Sequence, residues 1–535
     1  MKSWMAVLLV LNLQILACFG QSSKTAWDNT INKNWPDGFT HVEIESKADG
    51  KMQQAVFYKT TLEKQQPLIV SLHTWSGDYL QEDPLAGEVE LHNWNYIHPD
   101  FRGPNNNPEA CGGELVLADI EDAIGFAIQQ GNVDTSEVHI IGVSGGGYAT
   151  MLAFMKIRFP VKSFSAWAGI SNLNDWYYES VGRQLRYARD LEGVTTGSAG
   201  FDAAEARKRS PIFMDFQPEL RKNATLRIYT GIHDGCAGSV PITQSINMFN
   251  KLLPEIYPDK KGESVSDSLK LVLLEKRMNP GGIEGILGGR KIHLQRWLPN
   301  LSLTVFEGGH EMLVPQALAL LQVGEENHMQ PLNILTIGDS NGAAENGWPA
   351  QLGKLLPFST IVNKSISGNT IGFDNLDNPK LNTLRNVEDY LDSAFCILEA
   401  GQQLDYIIFG LGTNDAKQVF DSKINEVSKN LDSLLTMTIQ YLKKKNKVIP
   451  HLVILTPPPM NEKIANTEKY GGGNSRIIRN NKPFSRVAQK QGASFIDSYS
   501  PLSESTSEIT TDGVHLTTRA QFETAGMIVN FFMER

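Results

Sequence analysis

Short apolar runs, each closed by small or polar residues and followed by an amphipathic stretch, recur along this chain and limit its fold more than any other feature. Residues 68–72, 138–142, 226–230, 271–274 and 303–306 read as strands buried on both faces. Helical periodicity lies between them, for example over 116–130 and 148–158. Strands that alternate with helices build a mostly parallel sheet covered by helices. The pattern pauses at the polar stretch 324–331 and then restarts. Residues 332–337, 406–409 and 452–455 read as strands, and 424–445 as a long amphipathic helix whose closing lysines complement its dipole. At 535 residues the chain exceeds what one core organises. We therefore expect two α/β domains, over residues 25–324 and 331–535.

Residues 1–20 read as an export signal. Lys2 supplies the positive start, and residues 6–17 are apolar apart from Asn12 and Gln14, too short for a comfortable membrane span. Ile15-Leu16-Ala17-Cys18 looks like a loose lipobox, which would make Cys18 a lipid anchor. Cleavage after Gly20 is the alternative. Either route carries the mature chain out of the cytoplasm, to the periplasm, the outer membrane or the medium. No later stretch is apolar enough for a transmembrane span. Export permits a Cys111–Cys236 disulfide, the alternative being two free thiols. Cys396, within an apolar run, reads as buried filler. A formal charge of −10 leaves no basic face for nucleic acid.

Two constellations carry chemistry. Gly142-Val143-Ser144-Gly145-Gly146 stands between a strand and a helix, where a sharp turn would expose the serine hydroxyl. Serine needs a base to take its proton. His310 follows the strand 303–306, and Asp234 follows the strand 226–230. They are the expected base and its orienting acid, with His73 and His233 as competitors for the base. The oxyanion donors would be the N–H groups of Gly145 and Trp75. The Trp75 indole is either packing or a wall for stacking a sugar.

These residues resemble the α/β-hydrolase superfamily, in its prolyl-oligopeptidase-like and polysaccharide-esterase branches, over roughly residues 40–322. Residues 234–241 look like the acid loop of the peptidase-like branch, and Asp100-Phe101-Arg102-Gly103 like an arginine-glycine turn found there. Thr74 departs from the usual His-Gly of the oxyanion loop. Peptidases of that branch usually carry a β-propeller before the catalytic domain. Barely 20 residues stand there between the signal and the first strand, which favours ester over peptide cleavage.

The second constellation starts at Gly338-Asp339-Ser340-Asn341, after the strand 332–337. Ser367-Gly368-Asn369-Thr370, Gly412-Thr413-Asn414-Asp415 and Asp512-Gly513-Val514-His515 follow in order. Ser340 would be the nucleophile, His515 its base, and Asp512 the group that holds the imidazole tautomer. The backbone N–H groups of Ser340 and Gly368 and the side-chain amide of Asn414 would receive the oxyanion. The four blocks resemble the SGNH (GDSL-type) hydrolases across about 330–535. That resemblance implies a flavodoxin-like three-layer α/β/α domain with esterase or deacetylase activity.

Neither set calls for a metal or cofactor, since no zinc-ligand spacing or phosphate-binding lysine loop is present. The resemblance points to secreted bacterial carbohydrate esterases that strip acetyl groups from polysaccharides. Trp75, Tyr79, Trp94, Tyr96, Trp167, Trp176, Tyr177 and Tyr178 are aromatics that could meet a sugar. The alternative reading is a peptidase or a lipid or feruloyl-type esterase in the first domain, with the second trimming small esters.

Overall fold

The structure is a computed structural model that describes residues 34–197, 200–322, 331–398, 401–505 and 508–534. The export signal, Cys18 and all of the interdomain stretch except Pro331 lie outside these residues. The chain divides into two units, one comprising residues up to Pro280 with Leu294–Val314, the other Gly281–His293 with Pro315–Arg535.

In the first unit the apolar runs become β1 (Thr40–Glu45), β2 (Met52–Tyr58), β3 (Gln66–Leu72), β4 (Asn95–Pro99), β5 (Val133–Val143), β6 (Ser163–Trp167), β7 (Thr225–Gly231) and β10 (Leu301–Phe306). They lie side by side in the order β1-β2-β4-β3-β5-β6-β7-β10, while β8 (Gly285–Leu287) and β9 (Arg290–Trp297) pair antiparallel with each other. From β4 to β10 every pairing is parallel, while β1 and β2 join antiparallel at one edge. The parallel centre follows from composition: the last five residues of β3 and all of β6 are buried, as a strand between two helical layers must be. Helix Glu114–Gln130 shows the matching helical spacing, burying Val116, Ile120, Ala123, Ile124 and Ala127 against the sheet. Each such aliphatic side chain contributes about 1.5–3 kcal/mol of burial.

Two expectations fail here for one reason. Residues 271–274 are not a strand but the middle of helix Asp267–Lys276, whose start is capped by the Ser266 side chain accepting from Leu269 N–H. Four consecutive apolar residues carry no period of their own, and here Leu273 is buried while Leu271 is 65% exposed. Cys396 is likewise exposed rather than buried. On helix Thr383–Ile397 the core side is Val387, Leu391 and Ala394, and two residues further on the helix has turned away from it. Cys111 and Cys236 are free thiols. Cys111 is buried, with its sulfur 3.8 Å from the Tyr148 hydroxyl, and burial pushes its thiol up to about 12.

The second unit holds β11 (Asn333–Gly338), β12 (Thr360–Asn363), β13 (Tyr406–Gly410), β14 (His451–Leu455) and β15 (Ser494–Ile496), all parallel, in the order β12-β11-β13-β14-β15. Period-2 alternation sends its side chains to two separate cores. Leu335, Ile337, Ile407 and Phe409 pack with helices Thr383–Ile397, Ile424–Lys444 and Gly473–Gln491. Ile334, Ile408 and Val453 pack with helices Trp348–Leu355 and Thr518–Met533 on the opposite face. The result is three layers, with the strand order reversing around β11. In such sheets the crevice at the carboxyl ends of the strands flanking that reversal is open to a ligand.

Candidate active sites

In the first unit, β5 ends at Val143 and the next helix starts at Gly145, so Ser144 alone turns the chain. It does so at φ 60° and ψ −117°, a conformation rare for a residue with a side chain. The surrounding glycines are steric requirements. A Cβ on Gly142 would stand 2.4 Å from the carbonyl carbon of Gly146, and one on Gly146 would stand 2.1 Å from the carbonyl oxygen of Leu72. Three backbone hydrogen bonds then run across the sheet end. Ser144 donates to Trp167 at 2.9 Å, Ala168 to Tyr229 at 2.8 Å, and Ile232 to Phe306 at 2.8 Å.

Those ties bring the loops after β7 and β10 together. His310 Nδ1 lies 2.8 Å from Asp234 Oδ2. The Asp234 carboxylate is fully buried, and its other oxygen accepts the N–H groups of Gly235 (2.9 Å) and Val240 (3.1 Å). A carboxylate held this way keeps the imidazole proton on Nδ1 and leaves Nε2 as the basic nitrogen. That Nε2 is 3.4 Å from Ser239 Oγ, a neighbour the sequence did not single out. Neither competing histidine meets the acid: the His73 nitrogens face the carbonyls of Thr74 and Asp100, at 2.9 and 2.8 Å, and His233 Nε2 faces Glu307 at 2.6 Å.

Gly145 opens its helix, so its N–H has no carbonyl one turn behind it. The Trp75 nitrogen would sit 2.2 Å from a Cβ on Gly145, so the two N–H groups are neighbours, and that of Trp75 has no acceptor among the described residues. Thr74, which replaces the usual glycine, is tied to Gln81 Oε1 by its N–H (3.0 Å) and hydroxyl (3.1 Å). The Trp75 indole is 2% exposed, donates to Asp190 at 3.1 Å and meets Trp176 edge-on, so it is packing and not a sugar wall. Trp94, Tyr96, Trp167 and Trp176 are buried too, whereas Tyr79 and Tyr177 are partly exposed and Tyr178 is exposed. Arg102, in its left-handed turn, is buried against Asp49 and Asp119 and braces the sheet edge.

In the second unit, Ser340 begins the short helix Ser340–Ala343 straight after β11. Asp339 caps that helix, accepting Asn341 N–H at 3.0 Å, and burial raises its carboxyl pKa. His515 Nδ1 lies 2.7 Å from Asp512 Oδ2. Partial burial opposes the Asp512 charge, but hydrogen bonds from the N–H groups of His515 and Val514 and from the His515 ring outweigh it and hold the carboxyl at about 2. Gly513 makes this turn possible, with φ +91° and no room for a Cβ, which would stand 2.5 Å from Ala465 N.

Gly368 also has φ +91°, and Asn414 is buried, with its amide donating to Asn369 O at 2.9 Å and one amide hydrogen left over. A contact that sequence spacing did not reveal is made by Asn341. Its side chain accepts Leu516 N–H at 2.8 Å and donates to Val514 O at 3.3 Å, fastening the histidine loop to the residue after Ser340. Only the adjacency of Asn341 to the serine could have hinted at this. Behind the Gly368 loop, both oxygens of buried Asp415 accept Ile371 N–H, and burial pushes its carboxyl up to about 7. Burial also pulls the Lys417 ammonium down to about 8.

Residues 335–521 match the GDSL-like Lipase/Acylhydrolase family. No curated protein matches the chain. Among solved structures, Est24, a carbohydrate acetylesterase from Sinorhizobium meliloti, is 19% identical and pairs 38% of this chain with 99% of its own at a TM-score of 0.33. The aryl esterase of M. smegmatis is 20% identical over 38% and 99%, with a TM-score of 0.32. An acylaminoacyl peptidase from Pyrococcus horikoshii is 19% identical over 41% of this chain and 35% of its own, with a TM-score of 0.33. The family match over residues 335–521 makes the C-terminal part of this chain a GDSL-type ester hydrolase domain.

Proposed function

We propose that this protein removes acyl groups, acetyl foremost, from a polysaccharide through two independent serine-hydrolase sites, one in an α/β-hydrolase domain and one in the GDSL-type domain. One observation carries the reading. Each unit pairs an imidazole with a carboxylate, at 2.8 and 2.7 Å, in loops of an α/β sheet that also presents a serine at a strand end.

In each site the serine hydroxyl attacks the ester carbonyl while the histidine takes its proton. The carboxylate stabilises the imidazolium, which then protonates the departing alcohol. Water repeats the cycle on the acyl-enzyme and frees the acid. The negative oxygen of each tetrahedral intermediate is received by Gly145 and Trp75 N–H in the first site. In the second it is received by Ser340 and Gly368 N–H with the Asn414 amide.

An export signal over residues 1–20, ending in a lipidated Cys18 or in cleavage after Gly20, supports a substrate met outside the cytoplasm. Tyr178 stands 61% exposed beside Tyr177, which stacks on Phe201 at 3.7 Å, and such an aromatic rim suits a sugar ring. The test is acetate release from acetylated xylan and pectin by Ser144→Ala, Ser340→Ala and the double variant. Each single variant is expected to lose part of the release and the double variant all of it. Single variants that release as much as the parent from every acetylated glycan, while a peptide is cut, overturn the reading.

A further inference from the structure

The second site's Gly368 N–H belongs to a turn whose conformation decides which way that N–H points. Ile366 O accepts Asn369 N–H at 3.0 Å, and Gly368, third of the four residues, has φ +91°. That is the requirement of a type II turn. In the competing type I turn φ at this position is negative and the central peptide, Ser367–Gly368, is turned over. Its N–H then faces the opposite side. An oxyanion donor placed here works only if the turn is held in one of the two forms.

One short segment does the holding. Asn414 donates to Asn369 O at 2.9 Å, and Asp415 accepts Ile371 N–H at 3.1 and 3.0 Å through its two oxygens. The carbonyl of Gly368 itself accepts the Asn375 amide at 2.6 Å, and Asn375 Oδ1 in turn accepts Lys417 Nζ at 3.0 Å. Asn375 is 1% exposed and Lys417 3%. An ammonium is expensive to bury without a partner, and Asn375 Oδ1 supplies one. Asn375 can donate to Gly368 only while its oxygen points at Lys417, so the ammonium fixes which end of the amide faces the turn.

We propose that Lys417 is a positioning residue of the second site, acting through Asn375 to hold the Gly368 turn in the form that presents its N–H to the oxyanion. The inference rests on the esterase reading of Ser340. Lys417 reaches the site through Asn375 and Gly368, and a contact to the oxyanion forms only in the transition state, so its effect is on the height of the barrier rather than on substrate capture.

The experiment uses the full chain carrying Ser144→Ala, so that only the second site turns over p-nitrophenyl acetate. Lys417→Met keeps length and removes the donor. Asn375→Asp keeps a partner for Lys417, so no buried charge is stranded, but replaces the donor to Gly368 with a second acceptor. Removing one oxyanion donor costs about 10²–10³ in kcat, and a displaced donor is expected to cost about 10- to 100-fold. Both variants should show that loss in kcat with KM within about threefold, the split expected of a lost transition-state contact. The double variant should be no worse than the poorer single one, because both act on the same contact.

Parent-level kcat in a folded Asn375→Asp protein overturns the proposal, as does a loss confined to KM. Should Lys417→Met fail to fold, Asn375→Asp decides alone. Ser340→Ala run alongside separates the two failures. If it leaves turnover intact, the esterase reading of the site falls. If it abolishes turnover while the Asn375 variant is normal, only the positioning role falls.

Discussion

Single residues set the chemistry because each is held by contacts that leave little freedom. Asp512 is kept as an anion down to about pH 2 by three donors, so it is charged wherever the enzyme can be assayed. Asp512→Asn removes that charge while keeping the shape. In the Ser144→Ala background it is expected to lower kcat about 10³–10⁴-fold, measured on p-nitrophenyl acetate across pH 6–9. Gly513→Ala tests the turn between acid and base. Its Cβ would press on Ala465 N at 2.5 Å in a left-handed backbone, so thermal unfolding should report a loss of about 2 kcal/mol or more, together with lost second-site activity. Ser144, Asp234 and His310 stand after separate strands, and strand order is something a sequence displays. The nearness of Ser239 to His310, by contrast, depends on how one loop folds back.

At the scale of elements, function depends on how loops are fastened to strand ends. Asn341 ties the histidine loop of the second unit to the helix that carries Ser340. Asn341→Ala leaves the buried N–H of Leu516 without its acceptor. It should cost about 1–3 kcal/mol in urea unfolding and lower kcat through a wandering His515. Asp415 gives a pH signature. Burial raises its native carboxyl pKa to about 7, far above the ordinary aspartate value of about 4, so between those values the native state holds a proton that the unfolded chain has released. Its contribution to stability is complete below the unfolded value, declines as pH rises from about 4 to about 7, and is constant beyond. Asp415→Asn should remove that decline, seen as a flatter urea midpoint between pH 4 and 7. The limits of sequence reading also lie at this scale. Residues 271–274 are apolar enough for a strand, and only the cap at Ser266 and burial of one side chain make them helix. The exposed side of Cys396 is decided by the rotation of its helix.

For the whole molecule the expectation is two sites on one chain that work without each other. If their substrate is shared, the Ser144→Ala and Ser340→Ala variants should strip different positions of an acetylated oligosaccharide, read by NMR of the products. Identical positional profiles from the two variants would count against a shared substrate with divided labour.

The sequence by itself determined the alternation of strands and helices, because period and turn chemistry are local properties of neighbouring residues. It also set out the order of the serine, acid and histidine candidates, because each sits at a strand end marked by glycine. The tertiary structure alone decided which histidine meets which acid, and that Cys111 and Cys236 are free. It alone decided that most of the described tryptophans are core, that Asn341 ties down the loop of His515, and that Lys417 meets Asn375. The physical reason is the same throughout. A hydrogen bond between residues 42 or 175 positions apart leaves no periodicity in the chain and exists only once the sheet has brought its strand ends together.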